Sequence, residues 1–402
     1  MEGGHGGVLL DQGNVEGQRE SPNPMSHFGT AGAPEIHRDV ACDLADVATE
    51  VAPSLAGSVV EVGRLQPGEE GEWDRFVTSA RSGTYCHLSG WKVATEQILR
   101  RPSFDLVARS EGRIVGVLPL SLIRNRMFGA CLVSRPLAVY GGICADTENA
   151  YQALLGAGSD LAHRLGVKYL EFRNRTDLFP SSLPSRDLYV TFTQDLTPGP
   201  DNLMKALPRD TRYMIRKSQK AGLAWTEDLK MEEFYDLYAR NVHRLGTPVF
   251  SKSLFSCLRS TFPEQCRLFG VRKGKTAIAG VLCFYFNKEV IPYYSGSLAE
   301  YHNDCPNNFM YWNLMVQSWR EGFESFDFGR SKRGTGSCKF KSSWNMQLSD
   351  LPYRYELIHT NEVPQMSPVD SKFRLAVSIW KWLPLPLTKV VGPRLIRHIP
   401  SI

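Results

Sequence analysis

Two runs decide the fold: Ala108-Arg109-Ser110-Glu111-Gly112-Arg113-Ile114-Val115-Gly116-Val117-Leu118, and Val271-Arg272-Lys273-Gly274-Lys275 continuing through Ala277-Ile278-Ala279-Gly280-Val281-Leu282. Each reads as a strand, a glycine-containing turn and a second strand, the signature of a β-hairpin. The stretch after each hairpin is repeated as well. Beyond a further apolar strand, Tyr140-Gly141-Gly142 matches Tyr294-Ser295-Gly296. A helix-periodic stretch comes next, Tyr151 to Leu165 in one half and Asn308 to Gly322 in the other. A strand then closes the unit, Tyr169-Leu170-Glu171-Phe172 or Phe326-Asp327-Phe328. Chance supplies any one match, but several in one order indicate duplication. The expected fold class is α/β (α+β), two copies of one unit with a mixed central sheet flanked by helices, rather than a single doubly wound sheet.

Composition sets the surroundings of these copies. A chain of 402 residues, 42% hydrophobic and 22% charged, is long enough for two domains and has the balance of a soluble globular protein. No run reaches the apolar length that spans a bilayer, and the N-terminus lacks a secretory signal. The nine cysteines fall singly, without CxxC or paired Cys/His spacing, so no metal site or disulfide framework is indicated and a cytoplasmic setting is expected. The net charge of +5 is unevenly spread: through Leu55 there are nine acidic residues and two basic ones, leaving 45 basic and 33 acidic residues beyond. The expected organisation is a disordered acidic leader (1–57), a first unit (58–200), a basic linking helix (201–222), a second unit (223–365) and a basic tail containing Trp and Pro (366–402).

Candidate chemistry concentrates in two places. From Phe323 to Trp344 an alternating strand breaks at Gly329 into Arg-Ser-Lys-Arg-Gly-Thr-Gly, with Asp327 on the face opposite Phe326 and Phe328. Arg330, Lys332, Arg333, Lys339 and Lys341 surround that loop, which is either a cradle for a phosphate-bearing or carbonyl-bearing ligand or a solvated basic turn. A Walker A loop is excluded, since Gly334 is followed by Thr335 rather than Lys-Ser/Thr. Between the copies, Arg212, Arg216 and Lys220 recur every four residues as a basic helical ridge, either solvated or facing a ligand at the domain seam. Asn307 and Asn308 suit the N-cap of the helix after Tyr294, and that helix end could also bind an anion. Tyr293, Tyr294 and Tyr311 line an acceptor groove or belong to the core. The tail mixes six cations with Trp380 and Trp382, which suits either a membrane surface or packing against a domain.

In their order these motifs resemble the FemABX-type acyltransferases, from about Val59 to the region of Ile358. The likeness is carried by Thr211-Arg212 to Lys217-Ser218 with Gly222 behind, and by Asp327-Phe328-Gly329 followed by Phe340-Lys341. Further motifs are similar to a FemAB-like subgroup associated with exosortase and PEP-CTERM systems: Tyr85-Cys86-His87 with Trp91, Leu132 to Pro136, Gly246 to Phe250, Pro292-Tyr293-Tyr294, and Phe326 to Lys332. The resemblance implies tandem GNAT-like domains and an N-acyltransferase that joins an aminoacyl or acyl group to an amine of a phosphate-bearing or lipid-linked glycan or peptide acceptor. It implies no bound cofactor and no metal, with aminoacyl-tRNA or acyl-CoA as donor, tRNA then being a carrier partner. Lys341 then sits near the donor, aimed at the developing oxyanion. Asp327 either accepts the amine proton or holds Arg330 or Lys332 in place. Arg212 meets acceptor phosphate and Arg216 assists, while His87, Tyr294, Asn308, Arg330, Lys332 and Lys339 complete the substrate-binding set.

The chain also departs from the family. His87-Leu88-Ser89-Gly90-Trp91 stands where a Gln-Ser motif often precedes the tryptophan, no coiled-coil arm is inserted, and no acyl-CoA signature segment occurs in either half. The alternative is a pair of catalytically degenerate domains that binds an envelope precursor or an exosortase-system protein. The basic body also raises a nucleic-acid-binding module, but no recognised RNA-binding motif accompanies the charge.

Overall fold

A computed structural model describes residues 59–125, 129–179, 181–364 and 371–399, with side chains from Leu375 onward in the last segment. The expected leader lies outside these residues. In chain order the first half contains β1 (Val60–Arg64), α1 (Glu70–Ser79), α2 (Trp91–Val93), β2 (Ser103–Ser110), β3 (Arg113–Asn125), β4 (Gly129–Ser134), β5 (Cys144–Ala145), α3 (Glu148–Arg164), β6 (Tyr169–Arg173) and β7 (Tyr189–Asp195). Next come α4 (Pro200–Ala206), α5 (Arg209–Lys220), β8 (Leu223–Thr226), α6 (Met231–Leu245), α7 (Lys252–Thr261), β9 (Cys266–Lys273), β10 (Thr276–Phe286) and β11 (Glu289–Ser297). The chain closes with α8 (Pro306–Arg320), β12 (Ser325–Asp327), β13 (Ser331–Lys332), α9 (Gly336–Ser342), β14 (Gln347–Asp350), β15 (Tyr353–Leu357), α10 (Ser371–Trp382) and α11 (Leu385–Ile396).

Local sequence explains most of these boundaries. The quoted hairpins form β2–β3 and β9–β10, and each carries a β-bulge early in its second strand. Gly112 and Gly274 turn the hairpins at φ of +78° and +58°. α3 starts where the Thr147 hydroxyl accepts from the Ala150 amide, and it buries Tyr151, Leu154 and Leu161 at helical spacing. α6 stops at Gly246 in the left-handed region, and α8 starts on Pro306. The asparagine cap expected for α8 is not what is found. Cys305 occupies the cap position without a side-chain bond, and Asn307 and Asn308 lie inside the first turn.

The two sheets have the same plan, a mixed sheet flanked by helices. One runs β1-β2-β3-β4-β6-β15, with β5 beside β3; the other runs β8-β9-β10-β11-β12-β7-β13, with β14 also on β7. In both, four antiparallel strands lead to a parallel pair, β4 with β6 and β11 with β12. The strand beyond that pair comes from the other half of the chain. β15 adds antiparallel to β6 in the first sheet, and β7 adds antiparallel to β12 in the second. The expected domain boundaries at 200 and 365 therefore do not separate the sheets, because the halves exchange their outer strands.

The cores are shared too. Tyr85 stacks on Phe284 with ring centroids 5.0 Å apart, and Trp91 lies 5.3 Å from Phe284 and 5.8 Å from Phe262. The tail also joins the body. Arg101, buried at 3% exposure, donates to the carbonyls of Ile396, Arg397 and Ile399 at the end of α11. The Trp380 indole N–H donates to the Thr247 carbonyl. Of the two expectations for the tail, packing against a domain holds for one face of it.

Candidate active site between the sheets

β11 and β12 run parallel but pair only at Glu289–Ser325 and Val290–Phe326. Beyond Val290, β11 stays on β10, where Tyr293 forms a bulge between the Leu282–Tyr294 and Cys283–Pro292 pairs. β12 instead ends at Asp327 beside β7. The strands part, and a cavity of about 330 Å³ lies in the fork. Its walls are Pro292 to Ser295 of β11, Phe328 to Arg330 after β12, Tyr311 of α8, Lys341 of α9, and Leu137 and Val139 from the first half. The Tyr293 hydroxyl, donating to the Leu137 carbonyl, ties the halves together at the rim.

Lys341 reaches this cavity from α9, whose start is fixed by the Thr335 hydroxyl accepting from the Cys338 amide. Its ammonium donates to the carbonyls of Phe328, Gly329 and Arg330 at 2.6, 2.8 and 3.3 Å. Burial pushes its pKa down to about 8, while the Asp327 carboxylate acts in the opposite sense. The three acceptors use all three ammonium protons, so this geometry holds the charged form. The 3.3 Å bond is the weakest, and its proton is the one most readily turned toward a ligand. Tyr294 is also among the lining residues, but its hydroxyl is fully buried and has no hydrogen-bond partner among the described residues.

Asp327 stands behind the cavity rather than in its wall. Its Oδ1 accepts from the Thr191 hydroxyl at 2.5 Å and the Gly329 amide at 2.7 Å; its Oδ2 accepts from the Tyr140 hydroxyl at 2.9 Å and lies 3.3 Å from the Arg175 guanidinium. Arg175 also forks onto both Glu289 oxygens at 2.8 and 2.5 Å. This buried network joins the two halves and sets Gly329 at a φ of +70°. The alternation that places Asp327 opposite Phe326 and Phe328 is observed, but the opposite face is a second interior and not solvent. Tyr140, Arg175, Thr191 and Glu289 were not legible as site residues, because nothing local marks partners that lie over a hundred positions away.

The corresponding fork of the first sheet is filled by its own chain. β4 and β6 pair at Leu132–Leu170 and Val133–Glu171 and then diverge around Arg173. The Arg173 guanidinium donates to the Ala138 carbonyl, and its own carbonyl accepts from the Gly141 and Gly142 amides. A Cβ at Gly142 would lie 1.8 Å from the Asn174 side-chain oxygen and 3.0 Å from its backbone nitrogen, so any larger residue there must displace Asn174. Tyr140-Gly141-Gly142 thus belongs to the plug, while its expected counterpart Tyr294-Ser295-Gly296 lies on a strand.

The remaining candidates divide. Arg330 lines the cavity with its guanidinium 4.7 Å from the Tyr189 ring centroid and 5.9 Å from that of Tyr353. Lys332 and Lys339 are not among the cavity's lining residues. Arg333 is committed to Asp187 and Asp350, so the loop is not an open cradle of five cations. His87 is a core residue and not a ligand contact: its Nδ1 accepts from the Thr84 amide, which leaves Nε2 to donate to the Gly142 carbonyl, and burial lowers its pKa to about 4. On α5 a second cavity of about 460 Å³ is lined by Asp210, Met214 and Lys217 together with Asn308 of α8. Arg212 and Arg216 lie off that wall, and Arg212 donates to the Lys205 carbonyl at the end of α4. On this helix the cavity wall is therefore formed by Lys217, which is not on the helical face of Arg212 and Arg216.

Residues 207–342 match the acetyltransferase (GNAT) domain family. Among solved structures, the crystal structure of FemX is similar to this chain with a TM-score of 0.60 and 14% identity, covering 74% of this chain and 98% of that one. A conserved protein of unknown function from Bacteroides thetaiotaomicron VPI-5482 is similar with a TM-score of 0.51 and 9% identity, covering 74% and 99%. Among curated proteins, none matches this chain in sequence. The chain thus carries a GNAT-type domain and shares the two-sheet fold of FemX.

Proposed function

We propose that this protein is an N-acyltransferase of the cell envelope, with its reaction centre in the fork between β11 and β12. The observation that carries this reading is the Lys341 ammonium, held on three backbone carbonyls in a cavity lined by residues of both halves of the chain. An acceptor amine attacks the acyl carbonyl carbon, a C–N bond forms, and the carbonyl oxygen takes the negative charge. Lys341 trades its longest bond, to the Arg330 carbonyl, for that oxyanion. Collapse breaks the C–O bond of an aminoacyl-tRNA or the C–S bond of an acyl-CoA, and the leaving group and the amine exchange the proton through solvent or substrate. Asp327, saturated by four partners, acts here as a positioning residue.

The acceptor we favour bears phosphate or is lipid-linked, because Lys217 and the start of α8 meet at the second cavity and the exposed cations of α5 lie close by. On the motif likeness alone we extend this to an envelope glycan of an exosortase-associated, exopolysaccharide-producing system, made at the cytoplasmic side of the inner membrane. The test is mass spectrometry of envelope glycans and lipid-linked precursors from a deletion strain complemented with wild-type protein or Lys341→Met. An acyl mass restored only by the wild type supports the reading; identical masses in all three strains overturn it. One observation favours a second reading, binding without transfer: all three Lys341 protons already have acceptors. A purified protein that retains a precursor but consumes no donor would establish that one.

A further inference from the structure

The two C-terminal helices bury one face and expose another. Trp380, Thr388, Gly392 and Ile396 are buried against the body, and Gly392 packs directly on the backbone of Val249. On the outer side of α10, Leu375, Ile379 and Trp382 recur at helical spacing and are 66%, 55% and 89% exposed. On α11, Leu387, Val390 and Leu395 are 44%, 55% and 42% exposed. Apolar side chains this open, at helical spacing on a helix whose described side chains bury only Trp380, mark a surface that meets something apolar.

Charge identifies the partner. From Ser371 to Ile402 there are six lysines and arginines and no acidic residue. Lys389 is held by Asp236 at 2.9 Å, while Lys381 and Arg394 are exposed. A second copy meeting this surface face to face would bring like charges together, whereas an anionic bilayer offers fatty interior to the leucines and tryptophan and negative headgroups to the cations. Among the described residues no helix is long and apolar enough to cross a membrane, and α10 and α11 have twelve residues each. We propose that α10 and α11 are a prefolded interfacial anchor that seats the protein on an anionic lipid surface, with Leu375, Ile379 and Trp382 entering the headgroup boundary. The anchor rests on the tail alone and holds whether or not the cavity transfers an acyl group.

The test is co-sedimentation of the full-length protein with vesicles of phosphatidylcholine alone or mixed with phosphatidylglycerol, at low and high salt. Binding should require the anionic lipid and weaken with salt. The triple variant Leu375→Ser, Ile379→Ser, Trp382→Ser should bind at least about tenfold more weakly with an unchanged melting curve, since these side chains are exposed. Lys381→Gln with Arg394→Gln should reduce both binding and its salt dependence. Equal binding to neutral vesicles, no loss in the triple variant, or a wild-type dimer in analytical ultracentrifugation that the triple variant abolishes would each overturn the proposal.

Discussion

Replacing Asp327 by asparagine separates the two roles open to that carboxylate. The substitution keeps the shape, and the remaining oxygen can still accept from Thr191 and Gly329. The new amide group takes the place of the oxygen that faces Tyr140 and Arg175. There a donor meets a guanidinium, and the Tyr140 hydroxyl must reverse. Stripping a buried ion pair of one partner typically costs about 3–5 kcal/mol. Here Glu289 still neutralises Arg175 through two bonds, so about 2–3 kcal/mol is expected, a fall of about 3–4 °C in melting temperature for a folding unit of this size. Tyr140→Phe, which removes a hydroxyl 2.9 Å from both Asp327 and Thr191, should cost about 1–1.5 kcal/mol. Transfer, assayed with the donor that the envelope comparison identifies, should fall less than about tenfold, whereas loss of a general base costs about 10²–10⁴-fold. Thermal melts and single-turnover rates on the same preparations decide the matter. An Asp327→Asn protein as stable as the wild type but hundreds of times slower would refute the positioning role and put Asp327 on the substrate.

Lys341 predicts a pH signature. Its folded pKa of about 8 lies below the ordinary 10.5, so between these values the unfolded chain binds more protons; stability should rise by up to about 3 kcal/mol as pH climbs from 8 to 10.5, and urea melts of Lys341→Met should lack that rise. Gly392→Ala should destabilise by about 1–3 kcal/mol, because its Cβ would meet the Val249 carbonyl oxygen at 2.5 Å and nitrogen at 2.7 Å. Gly156→Ala, in mid-α3 with open space around it, should instead stabilise by about 0.5–1 kcal/mol; matched thermal melts compare the pair.

What the sequence disclosed was local. The hairpins at 108–118 and 271–282, the helix from Arg209 to Lys220 and the strand ending at Asp327 come from period and turn chemistry within a dozen residues. Sheet membership does not. β7 and β15 alternate like any other strand, and no residue in either says that its partner is β12 or β6. The loop from Arg330 to Lys341 looked more exposed to ligand than it is, because Asp187, an acid that neutralises Arg333, lies far upstream. The resemblance puts His87 in the substrate-binding set for a similar reason: its acceptor, the Gly142 carbonyl, lies 55 positions on, in the plug of the first fork. Lys341 and Tyr294 could be singled out by resemblance, but only the divergence of β11 and β12 places them in one cavity.

The exchange of outer strands constrains how the protein can be made. While the ribosome is still working on the second half, β6 has β4 on one side and nothing on the other, since β15 begins only at Tyr353. An open edge flanked by buried apolar side chains invites pairing with the wrong chain. The nascent first half is therefore obliged to wait in an incomplete state, and its sheet closes only when Arg173 is met by Tyr353. Such distant pairing slows folding more than it weakens the finished molecule. A fragment ending at residue 200 would carry β7 without its sheet and β6 without its cover, whereas the two halves produced together could complete each other. The two sheets are thus not modules that could be excised or exchanged singly, because each is completed by a strand from the other half.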